Sequence, residues 1–271
     1  MFASVLLVFG VAVLAMAFRS FDNPICQRLS VLCILGVTFL FGYLPTGNCI
    51  VGFGAASLWI FLPWFEILTR VRALRMPVER EFEAQSPPDR ELFPNLDDLT
   101  DEIEQEGFDL VNDLGSDWNE QRQFIRLFHR SSDQTQAAVC LVDQGNIAFY
   151  YVTLMTRPRD GEVFMTWNYP FSYSLKFLPQ THIRRVRPAV SFNSICGAHQ
   201  NLLSQNRISA DSIPKVDPPK IQLLLQQDLT AQIRHNVRAG LLACVDDQSV
   251  RYTWRGMLYL WFRFLWDFVR L

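Results

Sequence analysis

Apolar residues run almost unbroken through the first quarter of the chain, in three blocks: Met1–Phe18, Leu29–Leu44 and Cys49–Leu68. The only charges between Met1 and Leu68 are Arg19, Asp22, Arg28 and Glu66. A hydrocarbon layer of ~30 Å takes about 20 apolar residues in a helix, so the pattern predicts three spanning helices, the first two slightly short. Pro45-Thr46-Gly47-Asn48 is uncharged turn chemistry and makes the second and third a hairpin. Trp59 and Trp64 sit near the end of the third block, where indoles favour the headgroup level, and Glu66 reaches for the same interface.

The pattern changes at residue 69. Residues 69–94 mix charges with four prolines and no apolar period, which predicts a linker. Asn95 offers a helix cap, Leu96, Leu99 and Ile103 keep helical spacing, and Gly107 stops the helix. Strands follow at Phe124–His129, Ala137–Val142, Ile147–Thr156 and Val163–Asn168, split by turn residues, and the short links favour an antiparallel meander. Asp160-Gly161 is the strongest hairpin signal. Ile147–Val152 is apolar on both of its faces, so this sheet must be covered on both sides or line a cavity. A further strand fits Thr181–Arg187. One helix starts at the Ser191 cap, and a second opens with Asp217-Pro218, stops at Gly240 and is followed by a small hairpin around Asp246-Asp247.

The chain closes with WRGMLYLWFRFLWDFVRL. On a helical wheel Arg255, Tyr259, Arg263, Asp267 and Arg270 fall in one sector about 120° wide, and nearly everything else is apolar. Spanning a membrane would bury Arg263 at a cost of about 2.5–3.5 kcal/mol. Lying flat in the headgroup layer avoids that cost, so an interfacial helix is expected, with packing onto the sheet or the first three helices as the alternative. The organisation expected is 1–68 as a three-helix anchor, 69–94 as linker, 95–253 as an α+β domain built on an antiparallel meander packed with helices, and 254–271 as an amphipathic helix.

Charge adds orientation. Arg19 and Arg28 in the first loop and Arg70, Arg72, Arg75 and Arg80 after the third block lie on one side if three helices span, which makes that side the cytoplasm and puts the N-terminus outside. Ala15-Met16-Ala17 resembles a signal-cleavage site, the competing reading of the first block, although no Lys or Arg precedes it. The net charge of -2 averages unlike segments, ten carboxylates without Lys or Arg from Glu91 to Asp117 among them, and gives no expectation of nucleic-acid binding. Lone cysteines at 140, 196 and 244, without CxxC spacing, suit reduced thiols.

Candidate chemistry is sparse. The chain lacks GxGxxG, phosphate-loop, HExxH, GxSxG and paired CxxC motifs, which removes nucleotide, zinc-protease and serine-hydrolase readings, and no metal site or cofactor is expected. Cys196 and His199 stand at i and i+3, in reach of one another as a thiolate–imidazole pair, against a core histidine as the plainer reading. Asp228 and His235 read as a solvated helix face. A hydrophobic ligand site is a candidate at Phe149, Tyr151, Phe164, Trp167, Tyr169 and Tyr173, where an ordinary core would look the same. Lipid headgroups are candidate partners of Arg70, Arg72, Arg75, Arg184, Arg185, Arg187, Arg263 and Arg270, and the cluster at 184–187 pairs equally well with the acidic helix at 97–106. Gly52 and Ala56 are small enough for close helix packing with another membrane protein or a second copy.

The segment Tyr150–Asn168, with Asp160-Gly161, Thr166 and Asn168, and the later helix holding His199, resembles a pattern in uncharacterised bacterial membrane-anchored proteins over roughly residues 96–205, and it implies no activity. The helix at 218–239 with the hairpin ending in Thr253 is similar to the last helix and wing of a winged-helix module. The reading that results is a multi-pass inner-membrane protein with a cytoplasmic domain. Its expected role is non-enzymatic interaction or sensing at the membrane surface, with hydrophobic-ligand binding and an enzyme on a membrane-embedded substrate as alternatives.

Overall fold

A computed structural model describes residues 2–21, 24–118, 121–144, 147–171, 173–187 and 190–270. The fold is α+β, with seven α-helices and a mixed seven-stranded sheet among the described residues. The chain divides into a helical unit, Met1–Leu74 with Tyr252–Leu271, and a sheet unit, Arg75–Arg251.

The helical unit holds α1 (Phe2–Arg19), α2 (Pro24–Thr46) and α3 (Cys49–Glu66), and α3 runs on into a π-helical turn, Ile67–Val71. The turn read at 45–48 is tighter than its sequence suggests: α2 continues through Thr46, Gly47 takes φ 62°, and the Asn48 side chain accepts from the Ile50 N–H at 2.9 Å to start α3. Among the described residues two helices are long and apolar enough to cross a membrane, Ile25–Thr46 and Cys49–Val71, and the apolar stretch Leu6–Arg19 is shorter. Polar side chains join neighbouring helices. The Ser30 hydroxyl donates to the Ala15 carbonyl at 2.8 Å, and the Trp59 indole N–H donates to the Thr38 hydroxyl at 2.9 Å. Two glycines set the α2–α3 spacing: a Cβ on Gly42 would lie 2.8 Å from the Val51 carbonyl, and one on Gly52 would lie 2.7 Å from the Phe39 ring. Gly52 thus serves packing inside this chain.

The sheet unit has the strand order β2-β3-β4-β5-β6-β7-β8. The strands are β2 (Glu83–Ala84), β3 (Asp109–Trp118), β4 (Gln121–Arg130), β5 (Thr135–Asp143), β6 (Ala148–Thr156), β7 (Val163–Trp167) and β8 (Thr181–Arg185). Pairing is antiparallel up to β7, β8 joins β7 in parallel and β2 is separated from β3 by a helix, so the meander is two strands shorter than the sheet. Both faces are covered. Helices α4 (Leu96–Gln105) and α5 (Phe192–Gln205) close one, over Phe124, Phe128, Val139, Val152 and Leu154, and α6 (Lys220–Arg238) closes the other, over Ile125, Leu127, Cys140 and Tyr151. Arg126, 7% exposed, ties α4 to the sheet by donating twice to Asp113 at 2.8 Å and once to the Thr100 hydroxyl at 2.9 Å.

The stretch expected as a linker is built into this unit. Phe82 is buried under α6 and Phe93 under α4, and β1 (Arg75–Pro77) pairs with β10 (Ser249–Tyr252), itself beside β9 (Leu242–Cys244). Single apolar residues spaced among charges plug two different cores, and no periodicity can reveal such use. The wing-like hairpin therefore has a third strand, and α5 and α6 lie on opposite sheet faces, which is not a helix-turn-helix arrangement.

Close helix approach gives the first prediction. Gly42→Leu meets unyielding backbone and lowers the thermal midpoint of the detergent-solubilised protein by several degrees, in line with overpacking costs of about 1–3 kcal/mol. Gly54→Leu, with nothing within 4 Å of its Cβ position, leaves the midpoint within about a degree of wild type. Equal effects of the two would show that α2 and α3 are not held at this distance.

Candidate functional site

A buried polar cluster lies between α5 and strands β5 to β7. His199, 1% exposed, has Nε2 2.9 Å from the Thr156 hydroxyl and Nδ1 3.0 Å from the Thr166 hydroxyl, and Thr156 continues to Thr135 at 3.3 Å. A neutral imidazole donates from one nitrogen and accepts at the other, and hydroxyls complement either tautomer, so the set is satisfied without charge. Burial pushes the imidazole down to about 4, with Asp133 opposing and Arg130 adding to the shift. Beside it, burial pushes the Cys196 thiol up to about 11, against the pull of Arg130.

Arg130 is itself occupied. It donates to both Asp133 carboxylate oxygens, at 3.0 and 2.7 Å, and to the Glu106 carbonyl at 3.3 Å, with its guanidinium 4.4 Å from the Phe108 ring centre. At neutral pH the thiol is protonated and the imidazole uncharged, so the pair lacks the thiolate that nucleophilic attack requires. The motif residues Thr166 and His199 meet in this cluster, while Asn168 accepts from the Val152 N–H at 2.6 Å.

The aromatic candidates divide between the two faces. Trp167 gathers Tyr151, Tyr169, Tyr173 and Phe177, at ring-centre distances of 6.2, 5.1, 5.2 and 5.6 Å, and Phe149 stands 5.8 Å from Tyr169. Phe164 belongs to the opposite face with Thr166, fully buried and stacked on His182 at 4.7 Å. Rings at these separations fill one another's space as a core does. Burial raises the Tyr151 hydroxyl well above its usual range and pushes Tyr173 up to about 12, so both stay neutral. The loop carrying Tyr173 and Phe177 is clipped to α6: Asn236, fully buried, accepts from the Lys176 N–H and donates to its carbonyl, both at 2.8 Å, and Gln232 donates to the same carbonyl.

The candidate arginines fall in both units. Arg70 pairs with Glu66 at 3.6 Å, both well exposed, and Arg72 lies over the Trp254 ring at 5.6 Å. Arg75 is in β1, Arg184 and Arg185 are in β8, and Arg187 follows it. Arg185 donates to the Tyr169 and Pro170 carbonyls at 3.0 and 2.8 Å, so it braces the aromatic loop. The acidic helix is engaged by other groups: Arg90 pairs with Asp97, Glu102 accepts from the Phe192 N–H, and Asn193 donates to Glu106. Arg263 is half-buried with Nε shielded from solvent, and the Arg270 side chain lies outside the described residues.

Two clefts escaped the sequence reading. One of about 830 Å³ is lined by Glu79, Arg80, Glu83, Asp117, Arg234 and Asp247, among others, and one of about 670 Å³ by Arg80, Gln226, Thr230, Arg234, His235 and Arg238. Their walls come from the β1–β2 segment and α6, some 150 residues apart, as the Arg234–Glu79 ion pair across them shows (|i−j| = 155). The charged run at 78–83 was the only local signal. Asp228 lies on a partly exposed face of α6, where it pairs with Arg157 and burial raises its carboxyl. No group of three or more His, Cys, Asp or Glu suited to a metal ion occurs among the described residues. Comparison with protein-family models, curated proteins and solved structures found no match for this chain.

His199 generates a pH prediction. Its folded value lies below the ordinary 6.5, so the unfolded chain binds more protons between pH 6.5 and about 4. The stabilisation is complete above pH 6.5 and is lost as pH falls through that window, by about 3 kcal/mol in all. His199→Gln removes this slope, so the difference between its stability–pH curve and that of wild type isolates it. Parallel curves would show that His199 is not buried neutral.

Proposed function

We propose that the chain is a multi-pass membrane protein that holds its sheet unit at the cytoplasmic face of the inner membrane as a non-enzymatic interaction or sensing module. The observation that carries the membrane part is the outward surface of α2 and α3. Phe41, Ile50, Phe53, Leu58 and Phe65 are 64–78% exposed on helices whose small and polar residues point at one another. In water that arrangement exposes apolar area without return, whereas in lipid it is the favourable one. The first, shorter helix completes the anchor as a third span, and the arginine count in the loops sets the orientation. The non-enzymatic part is supported by the neutral state of Cys196 and His199, which were the one nucleophile–base pair the sequence offered.

Protease added to intact cells leaves the region beyond residue 90 undigested, and the same protease releases it from inverted membrane vesicles. Digestion from outside, or a mature protein beginning at Phe18, overturns the orientation. Turnover by the purified protein that Cys196→Ser or His199→Gln abolishes overturns the non-enzymatic role.

A further inference from the structure

Helix α6 carries two stripes, one residue apart in the sequence. Ile221, Leu225 and Leu229 pack on the sheet, while Gln226, Thr230, Arg234 and Arg238, about 100° further round the helix, line the cleft of about 670 Å³. Glu79, Arg80 and Glu81 from the β1–β2 segment, with Leu178 and Gln180 before β8, supply much of the remaining wall. Two contacts fix that segment to α6: the Gln222 side chain donates to the Phe82 carbonyl at 2.9 Å, and Arg234 pairs with Glu79 at 2.6 Å. The fold itself therefore sets the walls, and the volume between them is that of a small-molecule site.

The charges of this cleft are unevenly matched. Three arginines line it against two carboxylates, Glu79 and Glu81, and Glu79 is taken by Arg234. Arg80 is held by a neutral group: its Nη1 donates to the Gln123 side chain at 2.8 Å, which orients the guanidinium without cancelling its charge. Arg238 has no carboxylate partner among the described residues. Two guanidiniums thus share the cleft with one uncommitted carboxylate, the exposed Glu81. The side chains of Gln180, Gln226, Gln227 and Thr230 are without hydrogen-bond partners among the described residues, and so is the solvent-shielded Nε2 of His235 in the same lining. Buried polar atoms are rarely left so. Guanidinium forks, amides and a hydroxyl are the donors that phosphate oxygens take, and a guanidinium stays charged at any working pH.

The adjoining cleft narrows the kind of anion. It shares Arg80 and Arg234 and adds Glu83, Asp117 and Asp247, carboxylates that repel a polyanion or an anionic membrane surface. A small ligand can occupy the arginine end alone.

We propose that the cleft along α6 binds a small phosphate monoester, its dianion engaged by Arg80 and Arg238 and its remaining oxygens by Thr230 and the glutamines. Such an ester carries about −1.5 to −2 charge at pH 7 and matches the two uncommitted guanidiniums. The proposal goes beyond the membrane reading above and stands on the sheet unit alone, giving the sensing role a ligand class.

The test is calorimetric titration of the full detergent-solubilised chain at constant ionic strength. The probes are glycerol 3-phosphate, glycerol, and dihexanoyl phosphatidic acid, which carries the same phosphate ester with two short acyl chains. Wild type binds glycerol 3-phosphate and not glycerol. Arg238→Gln weakens that binding by about tenfold or more, Arg238→Lys falls between, and Glu81→Gln tightens it by about two- to threefold. A gain on Glu81→Gln is a readout that misfolding cannot produce. No heat from wild type with glycerol 3-phosphate up to ~20 mM, or equal affinity in wild type and Arg238→Gln, overturns the proposal. Affinity for dihexanoyl phosphatidic acid about tenfold above that for glycerol 3-phosphate overturns it in favour of a lipid headgroup. None of these outcomes touches the membrane reading, which protease accessibility tests on its own.

Discussion

The central strands of the sheet have no face to give to water, and the sheet unit is arranged around that constraint. Along β5 the first seven of nine residues are buried, on both sides alternately. A strand of this kind must lie inside the sheet and under cover on both faces, which fixes α4 and α5 on one side and α6 on the other. Every polar group carried inward then needs a partner close by. Arg126 finds Asp113 and Thr100, His199 finds two threonines, and Asn236 takes both backbone groups of Lys176. These groups look like a candidate site when seen one at a time, yet each is already occupied by partners within the interior.

The helical unit answers a different constraint. Its small and polar residues are turned toward neighbouring helices and its large apolar ones outward, the reverse of the sheet unit. In the bilayer proposed for it, hydrophobic burial would not hold the helices together, and close backbone approach at Gly42 and Gly52 and side-chain hydrogen bonds would take its place.

Much of the architecture was legible in the sequence because hydrophobic period carries it. The three apolar helices, the strands from Phe124 to Trp167, the Asp160-Gly161 turn and the helices after Ser191 and Asp217 all show their period or their caps locally. Strand β3 does not. Asp109, Asn112, Asp113, Ser116 and Asp117 are poor strand formers, and β3 is held by its pairing with β4 and by the Arg126–Asp113 ion pair, neither visible in a single segment. The parallel addition of β8 and the capture of Phe82 and Phe93 by two separate cores are long-range events of the same kind. Among the candidate residues, alternation along β7 already sets Phe164 and Trp167 on opposite faces, but which of them joins Phe149 and Tyr151 depends on the pairing of β6 with β7. The residues of the two clefts carry no motif, and only folding brings them together.

The register of β1 with β10 has a consequence for how such a chain arises and changes. Arg75 and Arg251, the first and last residues of the sheet unit, stand directly opposite each other on adjacent strands. A domain whose ends meet can be inserted or removed without separating the segments on either side of it, because a tight turn would bridge the same gap. The sheet unit is therefore exchangeable as one cassette.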